Sequence, residues 1–208
     1  MRTVLTTDDL EFAAEIIKNG GLVGVPTETV YGLAANGLDE SAVKKIYDLK
    51  DRPATKPISL LVSGMEAVEK YCKNIPVEAY ILADKFWPGP LTMVFEKRDN
   101  VPDIVTAGGS TVGVRCPAHI ATLEIIRRCG LPLATPSANI SGQPSPKDAQ
   151  GVMDYFDGKI PCVVDGGRCS VGIESTVLLM TVAPPKVLRM GGLSVETIED
   201  ETGIEVSL

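Results

Sequence analysis

From Gly24 to Pro57 the chain reads GVPTETVYGLAANGLDESAVKKIYDLKDRPATKP, an order that few folds accommodate. An apolar run from Leu22 to Val25 stops at Pro26, which has no amide hydrogen to continue a strand ladder. A turn carrying Thr27, Glu28, Thr29 and Tyr31 follows, Gly32 permits a sharp exit, and the spacing predicts an amphipathic helix over Ser41 to Leu49. That helix delivers Lys50 and Arg52 together, with Lys56 just beyond. Three cations near a patch of hydroxyls suit an anionic, hydrogen-bonding ligand, such as a nucleotide with a small polar co-substrate.

The remaining runs alternate between the two periodicities. Helices are expected after Thr6 or Thr7, after a capping box at Ser63 to Glu66, after Pro76, over Ala121 to Cys129, near Lys147 to Tyr155 and from Ser194. Strands are expected at Ile58 to Val62, Leu91 to Phe95, Thr111 to Arg115, Leu131 to Thr135, Cys162 to Val164, Ser175 to Leu179 and Lys186 to Leu188. Mixed strands and helices without a repeat or linker predict one α/β domain over residues 1–208, built on a twisted mixed β-sheet flanked by helices. Polar loops follow several strand ends, where such sheets bind ligands. The Gly166 to Gly172 segment reads as a hairpin turn.

Composition narrows the function. With 44% hydrophobic residues the chain can bury a substantial core, and with only 5% aromatics that core is aliphatic. No apolar run is long enough for a membrane span and no leader is visible at the N-terminus, so a cytoplasmic protein is expected, with no membrane partner. A formal net charge of −7 argues against wholesale capture of nucleic acid, which needs many phosphates neutralised; it leaves room for a weak tRNA contact at a local basic cleft. The five cysteines form no C-x-x-C pair and read as reduced thiols. With one histidine, His119, no metal-ligand set is expected, and His119 reads as a helix-start or surface residue. P-loop and dinucleotide glycine motifs are absent.

Two pairs carry the candidate chemistry. Lys50 and Arg52 at a helix end are either a solvated terminus favoured by the helix dipole or a phosphate clamp. Ser137 and Asn139, two apart in a loop flanked by Pro136 and Gly142, favour the clamp. Arg115 and Arg189, each ending a strand, either snorkel to solvent or present a guanidinium fork to an anion.

Taken together, PTETVYGL, the K-x-R-P at Lys50 to Pro53, FWPGPLT, VGVRCP, PSANISG and GIESTV resemble the YrdC-like family of threonylcarbamoyl-AMP synthases, in collinear order over nearly the whole chain. The resemblance implies a single-domain YrdC-like fold with a large concave cationic cleft. It also implies a nucleotidyltransferase that joins L-threonine, bicarbonate or CO2 and ATP into threonylcarbamoyl-AMP and pyrophosphate, with Mg2+, for threonylcarbamoyladenosine in tRNA. The family's catalytic tetrad falls on Lys50, Arg52, Ser137 and Asn139. ATP would be held by these four with Lys56, Thr111, Ser145 and Arg189, and threonine by Thr29, Tyr31, Arg115, Thr135 and Ser175. Lys56 stands where some members have Asn, and Leu61 where some have a His. Longer members add a C-terminal domain, so a chain stopping at Leu208 is the single-domain form or a truncated one.

The implied partner is the threonylcarbamoyl transferase complex of tRNA modification. Carbamates decompose in water, so a closed apolar cleft is expected, with Val25, Leu33 and Leu60 as walls. The rival reading is a non-enzymatic module of the same fold binding tRNA or double-stranded RNA. Scarce aromatics for base stacking count against it.

Overall fold

A computed structural model describes residues 2–208. Short β-branched runs bounded by Pro and Gly become strands, and the longer runs of helical period become helices. Chain order is β1 (Val4–Thr6), α1 (Leu10–Lys18), β2 (Val23–Val25), β3 (Gly32–Asn36), α2 (Glu40–Lys50), β4 (Leu60–Leu61), α3 (Met65–Tyr71), β5 (Cys72–Lys73), α4 (Val77–Phe86) and β6 (Leu91–Lys97). Then come α5 (Asp103–Thr106), β7 (Thr111–Arg115), α6 (Ile120–Cys129), β8 (Leu133–Ala134), α7 (Ala149–Phe156), β9 (Cys162–Val164), β10 (Thr176–Leu179), β11 (Lys186–Arg189) and α8 (Val195–Thr202).

The strands form one open mixed sheet in the order β1-β9-β2-β3-β8-β4-β7-β6-β10-β11, with β5 paired to β6. Four pairs are parallel (β1–β9, β9–β2, β4–β7, β6–β10) and the others are antiparallel. Both faces are covered, and successive residues show it. Leu33 and Ala35 of β3 pack with α2 and α7 residues such as Ile46 and Phe156, while Ala34 between them packs with Ala14 and Ile17 of α1 and Ile125 of α6. The aliphatic core expected from composition is present, and all five cysteines are free thiols. Among the described residues no helix is long and apolar enough to cross a membrane.

Several local expectations are corrected. Helix α1 is capped by Asp9, whose carboxylate accepts the Phe12 amide at 3.0 Å; the Thr6 hydroxyl accepts the Asp9 amide instead. Gly64, not Ser63, takes the cap position of α3, which displaces Glu66 from the third helical position and leaves no side-chain cap. Strand β3 stands where the sequence suggests only an exit from the turn, because two alanines and an asparagine carry little strand signal. The Gly166 to Gly172 segment is no hairpin: β9 and β10 lie in opposite halves of the sheet, so this segment crosses between them.

Candidate active site

The turn between β2 and β3 is built by its own hydroxyls. Thr27 Oγ1 donates to the Val30 carbonyl at 2.7 Å and accepts the Thr29 and Val30 amides at 3.2 and 3.3 Å, a local competition with strand pairing that Thr wins readily. The Thr29 hydroxyl lies 2.8 Å from that of Thr27. Gly32 then runs against the loop after β8, where a Cβ would sit 2.3 Å from the Thr135 methyl; only glycine lets the two segments approach so closely.

Arg115, at the end of β7, reaches this turn. Its Nε donates to the Gly89 carbonyl at 3.1 Å, Nη1 to Thr29 Oγ1 at 2.9 Å and Nη2 to Glu28 Oε1 at 2.7 Å. Guanidinium has five N–H donors. Three are spent, so one N–H on each terminal nitrogen is left for a ligand. Glu28 is buried too, and its other oxygen accepts the Ala118 amide at 3.0 Å.

The tetrad expected to act on phosphates is divided by the structure. Lys50 is 1% exposed, and its ammonium donates to the main-chain carbonyls of Ser137 and Asn139, while its own carbonyl accepts the Ser141 amide at 2.8 Å. Burial pushes its pKa down to about 7, and the neighbouring Arg52 adds repulsion. Asn139 is also turned inward: its Oδ1 accepts the Ser137 hydroxyl at 2.5 Å and its amide donates to the carbonyls of Ile140 and Gln143. Lys50 and Asn139 thus brace the loop, while Arg52 and Ser137 line the cavity. Arg52 is held in turn by the carbonyls of Lys56 and Pro57.

The opposite wall comes from β10 and β11. The Ser175 hydroxyl lies 2.7 Å from that of Thr92, and Arg189 donates to the Ser175 carbonyl at 3.1 and 2.8 Å. Ser145 donates to Glu174 Oε1 at 2.6 Å; that bond, with Arg189 and Lys147 nearby, holds the Glu174 carboxyl below its usual range.

These groups enclose about 200 Å³, lined by Thr29, Tyr31, Arg52, Arg115, Thr135, Ser137, Ser175 and Arg189 of the expected residues. The Tyr31 hydroxyl is already engaged: it donates to the Gly167 carbonyl at 2.8 Å and accepts the Gly166 amide at 3.0 Å, and burial pushes its pKa up to about 12. Ser145 stands behind Glu174, and the exposed Lys56 contributes its carbonyl, not its ammonium. Thr111 lines a separate depression with Lys97 and Thr181. Strand alternation nevertheless puts Thr111, Gly113 and Arg115 on one face of β7, and Gly113 keeps the floor between them bare. Val25, Leu33 and Leu60 are core residues with no exposure and do not line the cavity; Val30, Ile58 and Leu61 do so.

Sequence reading missed Glu174, Thr92 and Ser59 in the lining. Glu28, noted only as part of the turn, had a legible signal: a carboxylate between Val25 and Tyr31 in a run otherwise fit for burial must find a cation.

An open α/β sheet carries a cavity walled by three arginines, eight hydroxyl residues and part of one braced S-x-N loop, a lining whose chemistry suits a small anionic, hydrogen-bonding ligand. Residues 15–191 match the family model described as telomere recombination (Sua5, YciO, YrdC), and the chain belongs to that family. It is 50% identical to the threonylcarbamoyl-AMP synthase of Pyrococcus abyssi over 93% of this chain and 57% of the relative, and 43% identical to that of Bacillus subtilis over 96% and 58%. The chain therefore spans a little under three-fifths of the length of these relatives. The crystal structure of P. abyssi Sua5 complexed with L-threonine superposes with a TM-score of 0.94, at 47% identity, covering 99% of this chain and 62% of that one. E. coli YciO, at 21% identity and a TM-score of 0.83 over 95% of this chain and 98% of that one, shares the fold.

Proposed function

We propose that the chain is a single catalytic domain that makes threonylcarbamoyl-AMP and pyrophosphate from L-threonine, bicarbonate or CO2 and ATP, for the threonylcarbamoyladenosine modification of tRNA. The observation that carries this reading is the Arg115 guanidinium: one unspent N–H on each terminal nitrogen in a small polar cavity that Thr29, Ser175, Arg52 and Arg189 also line. The enclosed 200 Å³ falls short of the ~300–1,000 Å³ of a drug-sized ligand's pocket. It suits an amino acid, with the nucleotide extending outward over the rim. The threonylcarbamoyl-AMP synthases among the relatives, and the threonine in the P. abyssi structure, support the reading.

Arg115 would take the threonine carboxylate, leaving the amine free to lose its proton and capture CO2 as a carbamate. A carbamate oxygen then attacks the α-phosphorus of ATP and pyrophosphate departs, so negative charge builds on the phosphoryl oxygens. Arg52 and Arg189 are fixed by carbonyl acceptors before any substrate arrives, and preorganised charge of that kind stabilises a transition state best where water is scarce. Ser137, held by Asn139 and the Lys50-braced loop, would hydrogen-bond the nucleotide, with Ser145 at the rim and Thr111 at the far end of the β7 face.

Mg2+ fits this cavity in a limited way. Glu174 is the one carboxylate lining it among the described residues, and Mg2+ is commonly held by one carboxylate plus substrate phosphates. Bound there with Ser145 nearby, it would offset phosphate charge. The adenylate product is labile and would pass to the threonylcarbamoyl transferase complex in the cytoplasm, with at most a weak tRNA contact.

Pyrophosphate release should require threonine and bicarbonate together with ATP. Release without either one, or tight tRNA binding with a steep salt dependence and no release, would overturn the reading. Serine, short of one methyl, should compete within roughly 10–200-fold of threonine, whereas valine, lacking the hydroxyl, should be rejected far more strongly; equal turnover with valine excludes a hydroxyl-reading pocket. Gly113→Val should weaken nucleotide binding with the fold intact, because its Cβ would lie 2.9 Å from Ser59 Oγ and 3.2 Å from the Thr92 methyl on the bare floor. Titration with an ATP analogue measures this.

A further inference from the structure

We propose that Glu28 is a positioning residue that aims Arg115 at the carboxylate of the amino-acid substrate. This rests on the assignment of Arg115 to that carboxylate. Glu28 lines none of the cavity; Thr27 and Thr29 on either side of it do. Its side chain lies behind the guanidinium at 8% exposure, against 9% for that of Arg115. Both carboxylate oxygens are committed, one to Arg115 Nη2 and one to the Ala118 amide. Glu28 is held in the main chain as well, since its carbonyl accepts the Val171 amide at 2.8 Å.

An arginine held by only one of its donors can rotate its fork about that bond. Here three acceptors on two segments fix the plane: Glu28 and Thr29 of the β2–β3 turn at the terminal nitrogens and Gly89 at Nε. What is left over is one N–H on each terminal nitrogen, on a side chain that lines the cavity. Glu28 also sets the charge. Arg52, Arg115 and Arg189 lie close enough to repel one another, and a carboxylate beside Arg115 makes that position nearly neutral. A triphosphate is then drawn to the two unpaired arginines, and a singly charged carboxylate, which needs geometry more than charge, to the third.

Two roles for Glu28 predict opposite results. If it only neutralises, its removal leaves a bare cation and tightens anion binding. If it aims the fork, its removal loosens the amino acid and spares the nucleotide. Calorimetric titration of the full chain with L-threonine, and separately with a non-hydrolysable ATP analogue, distinguishes them. Glu28→Gln is expected to weaken threonine binding by roughly tenfold or more, the scale on which outer partners of a binding group act, with nucleotide affinity unchanged. In an Arg115→Lys background, where no fork remains to be aimed, the same change should cost threonine binding nothing further.

Threonine affinity unchanged or raised by Glu28→Gln overturns the proposal, as does a parallel loss of threonine and nucleotide affinity. Should the glutamine variant fail to fold, Glu28→Asp, which withdraws the charge by one methylene, carries the same expectation. Absence of threonine binding to the unaltered protein overturns the amino-acid reading itself, and the proposal with it. Threonine binding indifferent to Glu28→Gln leaves that reading standing and removes Glu28 alone.

Discussion

Lys50→Met should destabilise the folded chain by about 2–4 kcal/mol, because it leaves the carbonyls of Ser137 and Asn139 buried without a donor. For a chain of this length that corresponds to roughly 5–15 °C in melting temperature. Pyrophosphate release should fall along with it, through a slackened S-x-N loop. The signature that sets this lysine apart is its pH dependence. With its folded pKa near 7 and the ordinary lysine value near 10.5, both states carry the proton below pH 7, and above it the unfolded chain alone keeps it. Stability therefore rises with pH, by up to about 1.4 kcal/mol per unit. Above the ordinary thiol value of 9 the sign reverses: burial raises Cys116, Cys129 and Cys162 to about 11 and Cys72 to about 12, so the unfolded chain loses those protons first. The window from 7 to about 8, a unit below the ordinary thiol value, isolates the lysine. Denaturation midpoints across it should climb in the unaltered protein and stay flat in Lys50→Met; parallel curves would show that the ammonium is not paying a burial cost.

Arg115→Lys should raise the threonine KM by about a hundredfold while barely moving that for ATP, since an ammonium cannot reproduce two parallel N–H bonds. Arg115→Ala goes further. It strands the Glu28 carboxylate in a buried site, and breaking a buried ion pair from one side costs about 3–5 kcal/mol. The lysine variant consequently tests binding and the alanine variant tests folding. Initial rates at varied threonine and ATP, with thermal melts of both variants, separate the two effects; a lysine variant with the original threonine KM would show that the fork is not the carboxylate site.

Much of this molecule is legible in its sequence where one residue type has one physical option. Pro76 had to open α4, Gly130 had to close α6 in a left-handed conformation, and Ser194 had to cap α8. The arginines at the ends of β7 and β11 could be read either as snorkelling or as forks, and the structure places both in the cavity lining. Lys50 was not legible in the same way. A helix-terminal lysine normally faces water, and only the tertiary placement of the S-x-N loop encloses it. Its motif neighbours suggested a phosphate ligand, whereas its contacts are two carbonyls. The crossing path of residues 165–175 was hidden for a related reason, since turn glycines look alike whether they join adjacent strands or distant ones. Strand β3, with its alanines, takes its identity from the partners on either side.

The cavity draws its walls from Thr27 at one extreme of the sequence and Arg189 at the other. Its internal bonds span 86 residues between Arg115 and Thr29, and 87 between Lys50 and Ser137. A fragment ending after the S-x-N loop lacks the wall supplied by Glu174, Ser175 and Arg189. During synthesis the hollow cannot be completed until β11, the last sheet strand, has been made, although the acceptors that hold Arg52 and Arg115 all lie earlier in the chain. Ligand binding can then act only on the finished fold, as a late reward for complete assembly rather than as a guide to it.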